Sequence, residues 1–158
     1  MAYKANTSDL VIIGNNLKFE RNKANMTITQ FAKFIKYDRA LYSKLESHQG
    51  QDMSLNKLVS IAKNLDVDVS VLLSRSYVDD PELRSGSHFV EKDYLEILVS
   101  NLKIEFERNN CSQEGVGQNR ETVNRLLNFH IRNPRITTIS FIAAELGTSL
   151  SKLFKGGE

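Results

Sequence analysis

Two cations five residues apart, Arg39 and Lys44, lie in the stretch QFAKFIKYDRALYSKLE, residues 30–46. On a helix, Tyr42 and Leu45 take one face. Arg39, Ala40, Ser43 and Lys44 take the other, with Leu41 at its margin. A guanidinium can bond guanine O6 and N7 together, an ammonium can reach guanine or a phosphate, and Ala40 or Leu41 can meet a thymine methyl. The chemistry on offer is recognition, not reaction. His48, His88 and His130 show no metal-ligand spacing, Cys111 has no histidine close by, and the GVG within SQEGVGQN follows no strand. No enzymatic activity, metal or other cofactor is therefore expected.

Charge supports a recognition face around these residues. From Lys18 to His48, seven basic side chains (Lys18, Arg21, Lys23, Lys33, Lys36, Arg39, Lys44) stand against Glu20, Asp38 and Glu46. From Gln49 to Asp80 the balance reverses, with three basic side chains against five acidic ones. The whole chain carries only +2, so the gathering, not the total, suggests a polyanion. The alternative is a solvated face of a helical protein-binding domain.

The elements that position this face are helical. Apolar residues recur at helical spacing behind caps: Leu10, Ile13 and Leu17 behind Ser8 or Asp9; Phe31, Phe34 and Ile35 behind Thr27; Tyr42 and Leu45 behind Asp38. Leu55, Leu58, Ile61, Ala62 and Leu65 follow Ser54, and Val71, Leu72 and Leu73 follow Asp68. A small five-helix domain over residues 8–74 is expected. The polar stretch 75–90 (SRSYVDDPELRSGS and its flank) shows no period and reads as a linker. Helical patterning resumes over residues 91–156, giving an all-α protein with a second helical domain.

The second domain echoes the first. A shift of 81 places Arg39 on Arg120, Lys44 on Arg125, Leu45 on Leu126, Ile61-Ala62 on Ile142-Ala143 and Leu72-Leu73 on Leu153-Phe154. Nearer each start the shift is 85, with Asn16-Leu17-Lys18 on Asn101-Leu102-Lys103. The difference of four is about one helical turn, lost near Gly117. We read an internal duplication with a degenerate second copy.

Residues 10–73 resemble the helix-turn-helix domain of the phage-repressor and Cro-like (XRE) family. The resemblance rests on Arg21, Met26-Thr27, Phe31-Ala32, Ile35, Arg39, Ser43, Leu45-Glu46, Ser54-Leu55, Leu58, Ile61-Ala62, Leu65, Val67-Asp68-Val69 and Leu72-Leu73. It implies a lambda-repressor-like bundle whose helix from Arg39 enters the major groove of double-stranded DNA. The residues it implies at DNA are Thr27, Lys36, Arg39, Ala40, Leu41, Ser43, Lys44, Ser47, His48, Gln49 and Gln51. It further implies an ion pair between Arg21 and Glu46. The echo agrees with contact between those positions, since both become apolar together, as Phe106 and Leu127. Lys36 departs from the family, which often has glycine there for a left-handed turn.

The second half has two readings. Arg120, Arg125, Arg132 and Arg135 could make a second DNA contact, or the degenerate copy could serve self-association as a homodimer or higher oligomer. Gly115, Gly117 and the lost turn tilt the balance to association, with Phe129, Ile131 and Phe141 as its apolar surface. The leading function is a sequence-specific regulator, most simply a repressor of phage or mobile-element type. The alternative is an autoregulating protein whose second half binds and inhibits another protein, as antitoxins do. A lone cysteine excludes an internal disulfide. No signal-like start and no apolar run of membrane-spanning length are visible, so a cytoplasmic protein with no membrane partner is expected.

Overall fold

The computed structural model describes residues 2–49, 52–108 and 120–156, with side chains from residue 9 onward. Gln51, Cys111, Gly115 and Gly117 fall outside the described residues. Within them the chain is all-helical. Its first half holds α1 (Ala2–Lys23), α2 (Ile28–Phe34), α3 (Arg39–Glu46), α4 (Leu55–Leu65) and α5 (Val69–Leu72). Then come α6 (Pro81–Ser85), α7 (Tyr94–Arg108), α8 (Arg120–Leu127), α9 (Ile136–Glu145) and α10 (Leu150–Leu153). No described helix is long and apolar enough to cross a membrane.

Short polar side chains start these helices where the sequence places them. Thr27, Asp38, Ser54 and Asp68 each accept a hydrogen bond from a backbone N–H in the first turn that follows. The first helix departs from expectation, beginning at Ala2 and not behind Ser8 or Asp9. Residues 2–8 contain neither glycine nor proline to stop it. Asp9 is then a mid-helix residue, and its carboxylate accepts a 2.5 Å bond from Ser140 Oγ on α9.

Phe34 also departs from expectation. Phe31 and Ile35, four apart, are fully buried, whereas Phe34 is 46% exposed with its ring tilted against Phe31. A helix of two turns has room for one inward stripe, and Phe34 lies at its edge.

Leu10, Ile13, Leu17, Tyr42, Leu45, Leu58 and Ile61 from the first half join Leu98, Leu102, Leu126, Ile139 and Ile142 from the second in one buried cluster. Phe129 and Ile131, expected at an oligomer surface, are partly buried against that same cluster; Phe141 is also half-buried. α1 crosses α3 closely at Gly14, where an added Cβ would stand 2.5 Å from the Leu45 carbonyl oxygen. Because the obstacle is backbone, Gly14→Ala is expected to destabilise the fold by about 1–3 kcal/mol through overpacking, read as a lower thermal midpoint. The corresponding position in the second copy is Val99.

The stretch 75–90, read as a linker, contains α6 and packs against the first half. Tyr77 is fully buried and donates a 2.8 Å bond to Glu20 Oε2. The Arg84 guanidinium lies 4.4 Å over the Phe19 ring, and Asp80 caps α6. The Tyr77 and Arg84 contacts reach back more than fifty residues, which is why no local period announced them.

The correspondence between the two halves extends to their hydrogen bonds. Asn16 Nδ2 donates to the carbonyls of Leu72 and Ser74 at 2.8 and 3.1 Å. Asn101 Nδ2 donates to those of Leu153 and Lys155 at 2.7 and 2.9 Å. Left-handed backbone recurs as well, at His48 (φ 60°) and Phe129 (61°), and at Asp66 (53°) and Gly147 (70°). Each of these pairs is separated by 81 residues, apart from the Asn16/Asn101 pair at 85.

The two copies also face each other reciprocally. Leu55 N donates to Pro134 O and Ile136 N to Met53 O, both at 2.8 Å, around an antiparallel bridge between Ser54 and Arg135. One step further out, Asn56 N donates to Asn133 Oδ1 at 2.9 Å and Thr137 N to Asp52 Oδ1 at 3.2 Å. Around this bridge each bond from one half is answered by its equivalent 81 residues on, the signature of a local two-fold relation. α5 lies against α10, where Ser151 Oγ donates to the Ser70 carbonyl at 2.6 Å; these residues too are 81 apart.

Asp9 sits at this boundary, and its pKa is raised, mainly by burial, against the opposing pull of Ser140 and Arg75. A carboxyl with a raised folded-state pKa favours folding below its unfolded value and loses that contribution as pH rises through the folded value. Asp9→Asn is therefore expected to raise the thermal midpoint at pH 7–8. The gain should vanish near pH 3, where the native carboxyl is already protonated.

Candidate nucleic-acid interface

The α2–turn–α3 unit is fixed at each joint. At its start Thr27 Oγ1 accepts from Gln30 N at 3.1 Å, and Gln30 Oε1 accepts from Thr27 N at 2.9 Å. This capping box satisfies two amide groups that a bare helix end would leave open. The turn passes through Lys36 at φ 58°, so it does adopt the left-handed backbone that favours glycine. α4 holds that turn from behind: Asn64 Nδ2 donates to Ile35 O at 3.1 Å and Lys57 Nζ to Lys36 O at 3.0 Å. Lys57 also lies over the Tyr37 ring at 5.6 Å. The strained lysine is stabilised by its neighbours, and its own side chain is exposed.

Asp38 then caps α3 through Leu41 N at 2.9 Å. Tyr42, Leu45 and Glu46 are buried, while Arg39, Ala40 and Lys44 are exposed and Leu41 and Ser43 half-buried. The outward set expected from spacing is thus the set presented. Arg39 Nε donates to Thr29 Oγ1 on α2 at 2.6 Å. That bond braces the side chain while leaving the two terminal nitrogens of its fork for an end-on contact.

Beyond α3, Ser47 Oγ donates to the Ser43 carbonyl at 2.7 Å, and Gln49 Nε2 donates to Ser47 Oγ at 3.1 Å. His48 Nε2 meets Asn15 Oδ1 at 2.9 Å, tying the loop to α1. Ser47, His48 and Gln49 are all exposed. Gln51, the remaining loop residue, lies outside the described residues.

Arg21 and Glu46 form a two-point ion pair beneath this face, Nε to Oε2 at 2.9 Å and Nη2 to Oε1 at 2.6 Å. Arg21 Nη1 also donates to the Met26 carbonyl at 3.0 Å, so one guanidinium joins α1, the α1–α2 turn and the end of α3. Burial alone would raise the Glu46 carboxyl; its bonds to Arg21 outweigh that and hold it below its ordinary value. The buried Tyr42 ring packs 5.4 Å from Phe31, and burial followed by its interaction with the Glu46 side chain pushes its hydroxyl upward. In the second copy, Phe106 and Leu127 are buried at the equivalent positions.

α8 repeats the exposure pattern of α3. Arg120, Glu121, Asn124 and Arg125 are exposed, Thr122 is half-buried, and Val123, Leu126 and Leu127 are buried. Arg132 and Arg135 are exposed at the start of α9. Arg135 occupies the place of Ser54 without capping its helix through the side chain. Sequence spacing missed Asn15, Thr29, Lys57 and Asn64. Each acts through contacts to a backbone or side chain on another element, and a lone polar residue carries no local signal for that. Among the described residues, no group of three His, Cys, Asp or Glu side chains could hold a metal ion. No protein-family model matches the chain, and no curated protein or solved structure matches it.

Proposed function

We propose that the protein is a sequence-specific double-stranded DNA-binding regulator of transcription that acts by occupying an operator, in the style of a phage or mobile-element repressor. The observation that carries this reading is the outer face of α3. Arg39, Ala40 and Lys44 stand exposed on a helix locked at its entry by the capped turn and at its end by the Arg21–Glu46 pair. A helix presented rigidly, with a guanidinium in its first turn, suits major-groove base edges. Lys36, the capped start of α2 at Thr27, and the Ser47–Gln49 loop flank it as phosphate contacts, which set register without reading sequence.

The supporting measurement is equilibrium binding to duplex DNA over a range of salt. Affinity should fall linearly on a log–log plot as lysine and arginine displace counterions. Binding that is absent at low salt would remove the proposal.

A further inference from the structure

We propose that one chain is a built-in dimer that straddles a single duplex, α3 reading one half-site and α8 a second, different half-site. The inference rests on the DNA-reading role of α3 and extends it to the second half.

The reciprocal bonds around Ser54 and Arg135 put one point of the two-fold axis at the starts of α4 and α9. The Ser70–Ser151 contact between α5 and α10 puts a second point further along the chain. α3 ends at Glu46 and α8 at Leu127, each eight residues before the first of these points. Both helices therefore flank the same end of the axis, as two reading helices must to meet successive major grooves on one side of a duplex. Exposed Arg135, paired with Ser54 at the axis, then lies toward the centre of the site.

The homo-oligomer expected from the sequence is on this account already present within one chain. The apolar surface assigned to self-association is in part spent on that internal packing, since Phe129 and Ile131 lie against the common core.

The two readers are not equivalent. Where α3 offers Arg39, Ala40, Ser43 and Lys44, α8 offers Arg120, Glu121, Asn124 and Arg125. Glutamate accepts from cytosine N4 and asparagine bonds adenine at two points, whereas alanine meets a thymine methyl. An identical pair of subunits demands a palindrome; this chain demands two unlike half-sites about one helical turn apart.

The test uses the full chain and duplexes it recovers from a random pool. Native mass spectrometry should find one chain per duplex, and footprinting should show two protected major-groove segments about a turn apart. The double variant Arg120→Ala/Arg125→Ala should weaken binding by about 10–100-fold per lost base contact and erase base preference in one half-site only, with an unchanged melting curve as the folding control. Two chains on a symmetric site, or a second-helix variant that keeps both preferences, would overturn the straddling arrangement. If Arg39→Ala also has no effect, the α3 proposal falls with it; if Arg39→Ala weakens binding, only the straddle falls.

Discussion

Arg21→Ala is expected to lower unfolding free energy by about 3 kcal/mol, the lower end of what breaking a buried ion pair costs. The lower end applies because 16% of the Arg21 side chain still meets solvent, against 7% for Glu46. The loss comes less from the pair's own attraction than from Glu46, left among Tyr42 and Leu45 with its charge uncompensated. The second copy suggests the control. Arg21→Phe/Glu46→Leu installs the apolar pair already present at Phe106 and Leu127, and the double variant should recover most of what either single change loses.

The pH dependence follows from the same pair. The Glu46 carboxyl is held below the ordinary glutamate value, its bond to Arg21 overcoming the effect of burial. Its contribution is therefore complete above that value and is lost as pH falls through the folded-state value. Urea titrations at pH 7 and pH 3 should show the gap between wild type and Arg21→Ala closing in acid. An Arg21→Ala protein as stable as wild type at pH 7 would mean the pair contributes nothing.

The second large effect concerns binding. Arg39→Ala should weaken affinity for a recovered duplex by about 10–100-fold, the 1–3 kcal/mol of a two-point guanine contact. It should do so with the melting curve nearly intact, because Arg39 is exposed and its side-chain bond to Thr29 is exposed too. Lys44→Ala should instead shift the salt slope if Lys44 meets phosphate, and the base preference if it meets guanine. Measuring both variants across salt separates a base reader from a general cation.

The parts of this fold that are local in origin were legible. α3 could be read because Tyr42 and Leu45 alternate with Arg39, Ser43 and Lys44 at helical spacing, and its cap Asp38 sits at the expected place. The repeat could be read from Asn16-Leu17-Lys18 and its echo. The packing of the two copies could not: it is set by Asp52, Asn133, Ser70 and Ser151, polar residues whose meaning exists only across the boundary. Tyr77 is similar, an isolated aromatic in a polar stretch whose burial depends on Glu20 and Arg84. Asp9 looked like a helix cap because its true partner, Ser140, lies 131 residues away.

On the proposed function, the outer face of α3 reads a DNA sequence. Selection of duplexes from a random pool by the full-length protein, repeated with Arg39→Ala, tests it most directly. Wild type should yield a defined motif whose guanine-containing positions lose enrichment in the variant. A pool that stays random through selection, or the same motif recovered by both proteins, would contradict it.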